Sequence, residues 1–382
     1  MGNDGPAGTG RPASAARRLA VMIHALLGFL AGRRSQWLTA ALVVAVASLA
    51  WACSERGQAT PTPPSSPTTP PGASVTPGAP PGERPERKQA VTDSPLHDGR
   101  LDLAARLGVD PLEVRFRDAR AAAWDGCLGI VYEGEPCLEL LVAGYVAFYE
   151  VEAGGRPPYR YHFGGGHYVA VDFYDGAISD GIPVPPELRV DFHALLAAYA
   201  RHDLALRLDS DADRIIVIAI VPIQFPDGCM GFRRPGDIAC TDAIVPGAVV
   251  LLEASDGKRF RYHVADQGFI PVDFEDGEVT QEPDPQMLAM QEAIRRDLAD
   301  RLGAPLATIS FVAFREVTWG DGCLGVHRPG ELCTQVLVEG FFALLRDANG
   351  TEYRYHGSAD RFIAASFEPA DVRIDDPLPP EE

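Results

Sequence analysis

Three short stretches of this chain gather the residue types that nucleophilic and metal chemistry use. They are Trp124-Asp125-Gly126-Cys127-Leu128-Gly129, Phe225-Pro226-Asp227-Gly228-Cys229-Met230-Gly231 and Trp319-Gly320-Asp321-Gly322-Cys323-Leu324-Gly325. A second cysteine follows each by ten or eleven residues: Cys137, Cys240 and Cys333. Further on, each copy has an aromatic tetrad ending in histidine: Tyr159-Arg160-Tyr161-His162, Phe260-Arg261-Tyr262-His263 and Tyr353-Arg354-Tyr355-His356. A Cys-His-Asp set attacks a substrate only when its sulfur is a free thiolate beside its base. Here every such cysteine has a partner at nearly constant distance, and a sulfur engaged in a disulfide cannot attack. Three tandem copies of one active site also argue against a hydrolase, so neither an enzyme nor a catalytic residue is expected.

Metal chemistry fares no better. A structural zinc needs four ligands, whereas Cys127, Cys137 and His162 offer three, without a close Cys-x-x-Cys pair. The Asp-Gly loops lack the alternating carboxylates of a calcium loop. No metal and no cofactor is therefore expected. Two roles remain for Asp125, Asp227, Asp321, His162, His263 and His356. In one, the tetrad's tyrosines line a core while each histidine bonds to the cysteine loop. In the other, loop aspartate and strand histidine form a recognition or pH-sensitive pair on an exposed sheet end. The loop segments Arg233 to Ile238 and His327 to Leu332 differ between copies, which makes them the places to look for a ligand.

The elements that must position these residues repeat with them. Each copy opens on a helical signature: Asp102-Leu-Ala-Ala-Arg-Leu107, Asp203-Leu-Ala-Leu-Arg-Leu208 and Asp297-Leu-Ala-Asp-Arg-Leu302. The two outer leucines lie four apart and share a face. From the aspartate to the first cysteine is 25, 26 and 26 residues, so helix and loop belong to one unit. Between them, Ile215 to Val221 and Ile309 to Phe314 have strand composition. After the second cysteine come the runs Leu138 to Tyr149, Ala243 to Leu252 and Gln335 to Leu345. Each is interrupted by a glycine (Gly144, Gly247, Gly340), which marks a bulge or close backbone approach. Turn signals lead into the tetrad as a hairpin. Tyr168 to Phe173, Phe269 to Phe274 and Phe362 to Phe367 supply a last strand. The fold class is α+β: three tandem repeats, each one helix on a four-stranded antiparallel sheet with one disulfide. With a helix, sheet and staple apiece, the copies are expected as separate beads rather than a solenoid sharing one core.

The ends of the chain carry no chemistry but imply a location. Residues 1–34 are a basic n-region, on the cytoplasmic side, and 35–53 an uncharged apolar segment ending in Cys53. Residues 54–95 form a Pro/Thr/Ser-rich linker with ten prolines between Gln58 and Pro85. Repeats are placed at 96–180, 186–280 and 284–370, followed by an acidic tail, 371–382. Such a linker is an extended spacer. The first 52 residues hold five arginines against Asp4, a charge of +4, so the rest of the chain carries −23 of the total −19. That surface repels phosphate backbones and excludes nucleic acid as a partner. Pairs of cysteines downstream of an export segment read as disulfides formed in an oxidising compartment: Cys127 with Cys137, Cys229 with Cys240 and Cys323 with Cys333.

Two resemblances follow. Ser48-Leu-Ala-Trp-Ala52-Cys53 resembles the bacterial lipobox, which implies cleavage before Cys53, acylation there and an anchor on the extracytoplasmic face of the cell membrane; an uncleaved membrane helix is the alternative. The combination of Trp/Phe, Asp-Gly-Cys-Leu/Met-Gly, Pro-Gly, Cys and Tyr-x-Tyr-His over residues 98 to 369 is similar to a repeat of uncharacterised exported bacterial proteins, and it brings no activity with it. The expectation is a membrane-tethered binding or structural module, with an extracellular protein or small ligand as partner. Protease or other enzyme inhibition is the alternative, ahead of a Cys/His/Asp hydrolase.

Overall fold

The structure, a computed structural model, describes residues 86–131, 136–151, 157–174, 176–185, 190–236 and 239–377. The apolar segment, Cys53 and the linker up to residue 85 lie outside the described residues. In the first copy, strand β1 (Lys88–Gln89) precedes helix α1 (Pro95–Leu107), and β2 (Val114–Trp124), β3 (Val142–Val151), β4 (Tyr159–Gly164) and β5 (His167–Ala170) follow. The second holds α2 (Phe192–Arg207), β6 (Ile216–Phe225), β7 (Phe232–Arg233), β8 (Val245–Glu253), β9 (Arg259–Ala265), β10 (Gly268–Pro271) and β11 (Glu278–Val279). The third holds α3 (Pro285–Leu302), β12 (Ser310–Trp319), β13 (Val326–His327), β14 (Val338–Arg346), β15 (Glu352–Ser358), β16 (Phe362–Ile363) and β17 (Arg373–Ile374).

Each copy is an antiparallel meander with its helix on one face, ordered β5-β4-β3-β2, β10-β9-β8-β6 and β16-β15-β14-β12. The helices begin where their sequences dictate. Ser94, Asp191 and Asp284 accept from the first-turn amides of His97, Ala194 and Gln286, and prolines stand at the first helical position of α1 and α3. Gly108 and Gly303, both in the left-handed conformation, end those two helices. The first long strand of every copy carries a bulge at the same place, between Phe116 and Asp118, Val217 and Ala219, and Phe311 and Ala313.

Three expectations need correction. The last strand of each copy stops early and becomes a 3-10 turn: Val171–Phe173, Val272–Phe274 and Ala365–Phe367. In that turn Asp172, Asp273 or Ser366 accepts the amide of Arg160, Arg261 or Arg354 at 2.7, 2.6 and 2.8 Å. The turn's phenylalanine stacks on the tetrad's first aromatic ring. The linker and tail boundaries also shift, because β1 pairs with β5 and β17 pairs with β13.

The third correction concerns the beads. One continuous core runs through all three copies, from Leu96, Leu103 and Tyr161 through Leu204, Ile220 and Tyr262 to Ile294, Phe314 and Tyr355. Strand edges explain why, since those of β2 and β6 find hydrogen-bond partners in the copy that follows. The Ala119 amide of β2 donates to the Asp266 carbonyl at 2.7 Å. On β6, the Ile220 amide donates to Gln291 Oε1 at 2.9 Å, and Gln291 Nε2 donates back to the Ile220 carbonyl at 2.7 Å. Between the first two helices, Arg100 and Asp203 form an ion pair of 2.6 Å whose side chains are 2% and 1% exposed.

Candidate functional site

The cysteine loop is built from the aspartate outward. Asp125, Asp227 and Asp321 each accept the amide of the following cysteine two residues on, at 3.0, 3.0 and 2.8 Å, closing a tight turn. Leu128, Met230 and Leu324 then adopt left-handed φ angles of 55°, 52° and 56°, followed by glycines at 76°, 68° and 73°. The disulfides Cys127–Cys137, Cys229–Cys240 and Cys323–Cys333 staple the loops. Asp125 with Cys127 and Cys137, Asp227 with Cys229 and Cys240, and Asp321 with His327 and Cys333 lie at metal-ligand spacing, but each group counts a sulfur already bonded to another.

The turned carbonyl is what the strand histidine reads. The Nδ1–H of His162, His263 and His356 donates to the carbonyls of Leu128, Met230 and Leu324 at 2.8, 2.7 and 2.8 Å. Each ring also lies against the loop's aromatic: centroids are 4.1 Å apart for Trp124 and His162, 5.3 Å for Phe225 and His263, and 4.3 Å for Trp319 and His356. Burial pushes the His162 imidazole down to about 4, only partly opposed by its bond to Leu128; His263 and His356 shift the same way for the same reason. The histidines are 0%, 0% and 1% exposed. Of the two roles open to these residues, the structure forms the first, a histidine bonded to the cysteine loop, and not the exposed pair of loop aspartate and histidine. The carboxylate serves its own loop's amides, and the imidazole lies beneath that loop.

Gly144, Gly247 and Gly340 have a shared explanation: a Cβ there would sit 1.8, 2.4 or 2.0 Å from the carbonyl oxygen of Phe163, Val264 or Gly357 on the tetrad strand. The helical signature is also absorbed by the framework. Asp102, Asp203 and Asp297 accept from the hydroxyls of Tyr161, Tyr262 and Tyr355 at 2.9, 2.9 and 2.8 Å, and from Arg106, Arg207 and Arg301 at 2.6 Å each. Burial pushes the Asp102 carboxyl up, but Lys88, Arg106 and Tyr161 outweigh it and hold the group below the usual carboxylate range.

Apart from Arg201, which the other copies match with Arg100 and Arg295, the side chains gathered where the copies meet do not repeat. Asp93, just before α1, accepts from Arg201 and from His202 Nε2 (2.8 Å) of α2, and from Arg346 Nη1 (3.1 Å) of β14. These partners overcome burial and hold the Asp93 carboxyl well below its ordinary value. The His202 ring stacks on His97 at 4.6 Å. His97 is 5% exposed, its Nδ1 has no partner among the described residues, and burial pushes it down to about 4.

Around this cluster lie a cleft of about 690 Å³, bordered also by Ser210, Asp211 and Arg214, and a groove of about 720 Å³. Asp93, Asp213 and Arg346 line both. Sequence reasoning missed this site because it follows repeats, and His97, His202 and Arg346 break them. Counted from the helical aspartates, His97 matches Ala198 and Glu292, and His202 matches Leu101 and Arg296. Six residues past the strand glycine, Arg346 matches Glu150 and Glu253. That divergence is the signal through which they could have been found.

No curated protein and no solved structure matches this chain. One family model matches three times, over residues 98–171, 197–271 and 291–365, the stretches that hold the helical aspartate, the cysteine loop and the buried histidine. Together these matches cover more than half of the chain, which therefore belongs to the family described as Domain of unknown function (DUF8738).

Proposed function

We propose that the chain is an extracytoplasmic, membrane-tethered binding module whose ligand sits in the cleft between the three copies. One observation carries the reading. The repeated helical aspartates, tetrad tyrosines and tetrad histidines bond within their own copies, whereas His97, His202, Asp213 and Arg346 of the cleft stand where the other copies carry different residues, and His97 Nδ1, like Nε2 of His162 and His263, has no partner among the described residues. Pockets that join convergent polar groups to apolar walls are where small ligands bind, and the groove supplies Ala194, Leu195, Ile215 and Phe311 as such a wall. Three disulfides support an oxidising compartment. Among the described residues no helix is long and apolar enough to cross a membrane; the proposed tether is acylation of Cys53, at the end of the uncharged apolar segment 35–53.

The test is a pull-down from secreted proteins and a small-molecule thermal-shift screen, each run on wild type and on Arg214→Ala, an exposed cleft residue. Ligands retained by wild type and lost by the variant support the cleft; equal retention removes it. Mass spectrometry finding an intact N-terminus and no lipid on Cys53 would remove the lipoprotein anchor. A second reading, protease inhibition, rests on Leu332, which is 96% exposed directly before the disulfide cysteine Cys333. A stapled loop with an apolar tip suits a protease cleft, and an inactive protease panel removes that reading.

A further inference from the structure

The cysteine loop of the third copy differs from the others at one place with chemical consequence. Four residues after the first cysteine stand Val131, Arg233 and His327. His327 Nδ1 lies 3.5 Å from Cys333 Sγ. Its other nitrogen, Nε2, lies 3.1 Å from Asp375 Oδ2 and 3.5 Å from Asp321 Oδ2, and Arg373 braces Asp375 at 3.0 Å. In its protonated form the ring presents one N–H to these carboxylates and the other to the sulfur. Val131 provides no such group, and Arg233 turns its guanidinium to Asp227 at 3.6 Å. The two cysteines are not equally open: Cys323 is 7% exposed, whereas Cys333 is half-buried.

We propose that Cys333 is a thiol-exchange site, at which the Cys323–Cys333 disulfide reacts with low-molecular-weight thiols in preference to the other two. Disulfides exchange by thiolate attack, faster where a neighbouring positive charge draws the thiolate in and stabilises the one that leaves. The incoming thiolate attacks Cys333 Sγ. The electron pair of the S–S bond leaves on Cys323 Sγ, which takes a proton from solvent, and a mixed disulfide remains on Cys333. A second thiolate attacks the small molecule's sulfur in that mixed disulfide. Cys333 then departs as a thiolate facing the His327 N–H, and the small molecule leaves as its own disulfide. Two thiols are oxidised to one disulfide, and the protein disulfide gains two electrons and two protons.

The experiment treats the full chain with graded glutathione, quenches with an alkylating reagent and follows each cysteine pair by peptide mass spectrometry. Cys323–Cys333 should open first, with glutathione found on Cys333, about fivefold faster than Cys127–Cys137, the factor that one N–H donor to the thiolate supplies. His327→Val, which installs the first copy's residue, and His327→Gln should both erase the lead. Equal rates for the three pairs, glutathione on Cys323 instead, or a lead that survives both variants would each overturn the proposal.

Discussion

The buried histidines make the acid sensitivity of this fold a quantitative matter. His162 is 0% exposed, and its imidazole is pushed from 6.5 down to about 4. Above pH 6.5 both folded and unfolded chains hold it neutral. Between pH 6.5 and 4 the unfolded chain takes up a proton that the folded one refuses, so stability falls as pH falls; below about 4 both are protonated and the loss saturates. A shift of this size, at ~1.4 kcal/mol per unit, corresponds to ~3 kcal/mol from His162 alone. His263 and His356 add losses of the same sign. His162→Gln isolates the effect, because an amide still donates to the Leu128 carbonyl but does not titrate.

At pH 7 the variant should be about 1 kcal/mol less stable through the lost stacking on Trp124. Urea unfolding at intervals from pH 7.5 to 4 measures both. The gap between wild type and variant should close and then reverse toward pH 4. A gap that stays constant across that range would refute the assignment of the acid sensitivity to a neutral, buried His162.

Other consequences can be checked on the same assay. Asp203→Ala leaves the Arg100 guanidinium, 2% exposed, without its carboxylate and should cost ~3–5 kcal/mol. The matching Asp297→Ala frees Arg301, 42% exposed, and should cost about 1 kcal/mol or less from the ion pair. Gly340→Ala sets a methyl 2.0 Å from the Gly357 carbonyl, so it should yield insoluble or unfolded protein, read by expression and circular dichroism. Replacing Cys229 and Cys240 together by serine should cost ~3 kcal/mol in urea, as expected for a loop of this length.

The sequence alone determined what is local or periodic. Three copies, the sulfur pairings, the helix-to-loop spacing and the strand glycine's close approach all follow from residues near one another in the chain. The bond from His356 to the cysteine loop was likewise legible, since strand alternation turns Tyr355 and His356 to opposite faces. Less was legible at the ends of the elements. The last strands looked continuous, but Asp172 and Asp273 divert their backbones into turns through bonds twelve residues away in sequence.

Only the tertiary structure decided how the copies sit together. An edge strand has the same unpaired amides whether it meets water or Gln291, and nothing in its own composition distinguishes the two. The junction cluster is the extreme case. Asp93 and Arg346 stand 253 residues apart, have no counterpart in the other copies and meet only because a shared core brings three helix-on-sheet units to one point. Local sequence specifies each unit through short-range sterics and hydrogen bonds; the cleft arises from burial between units, which no single unit encodes.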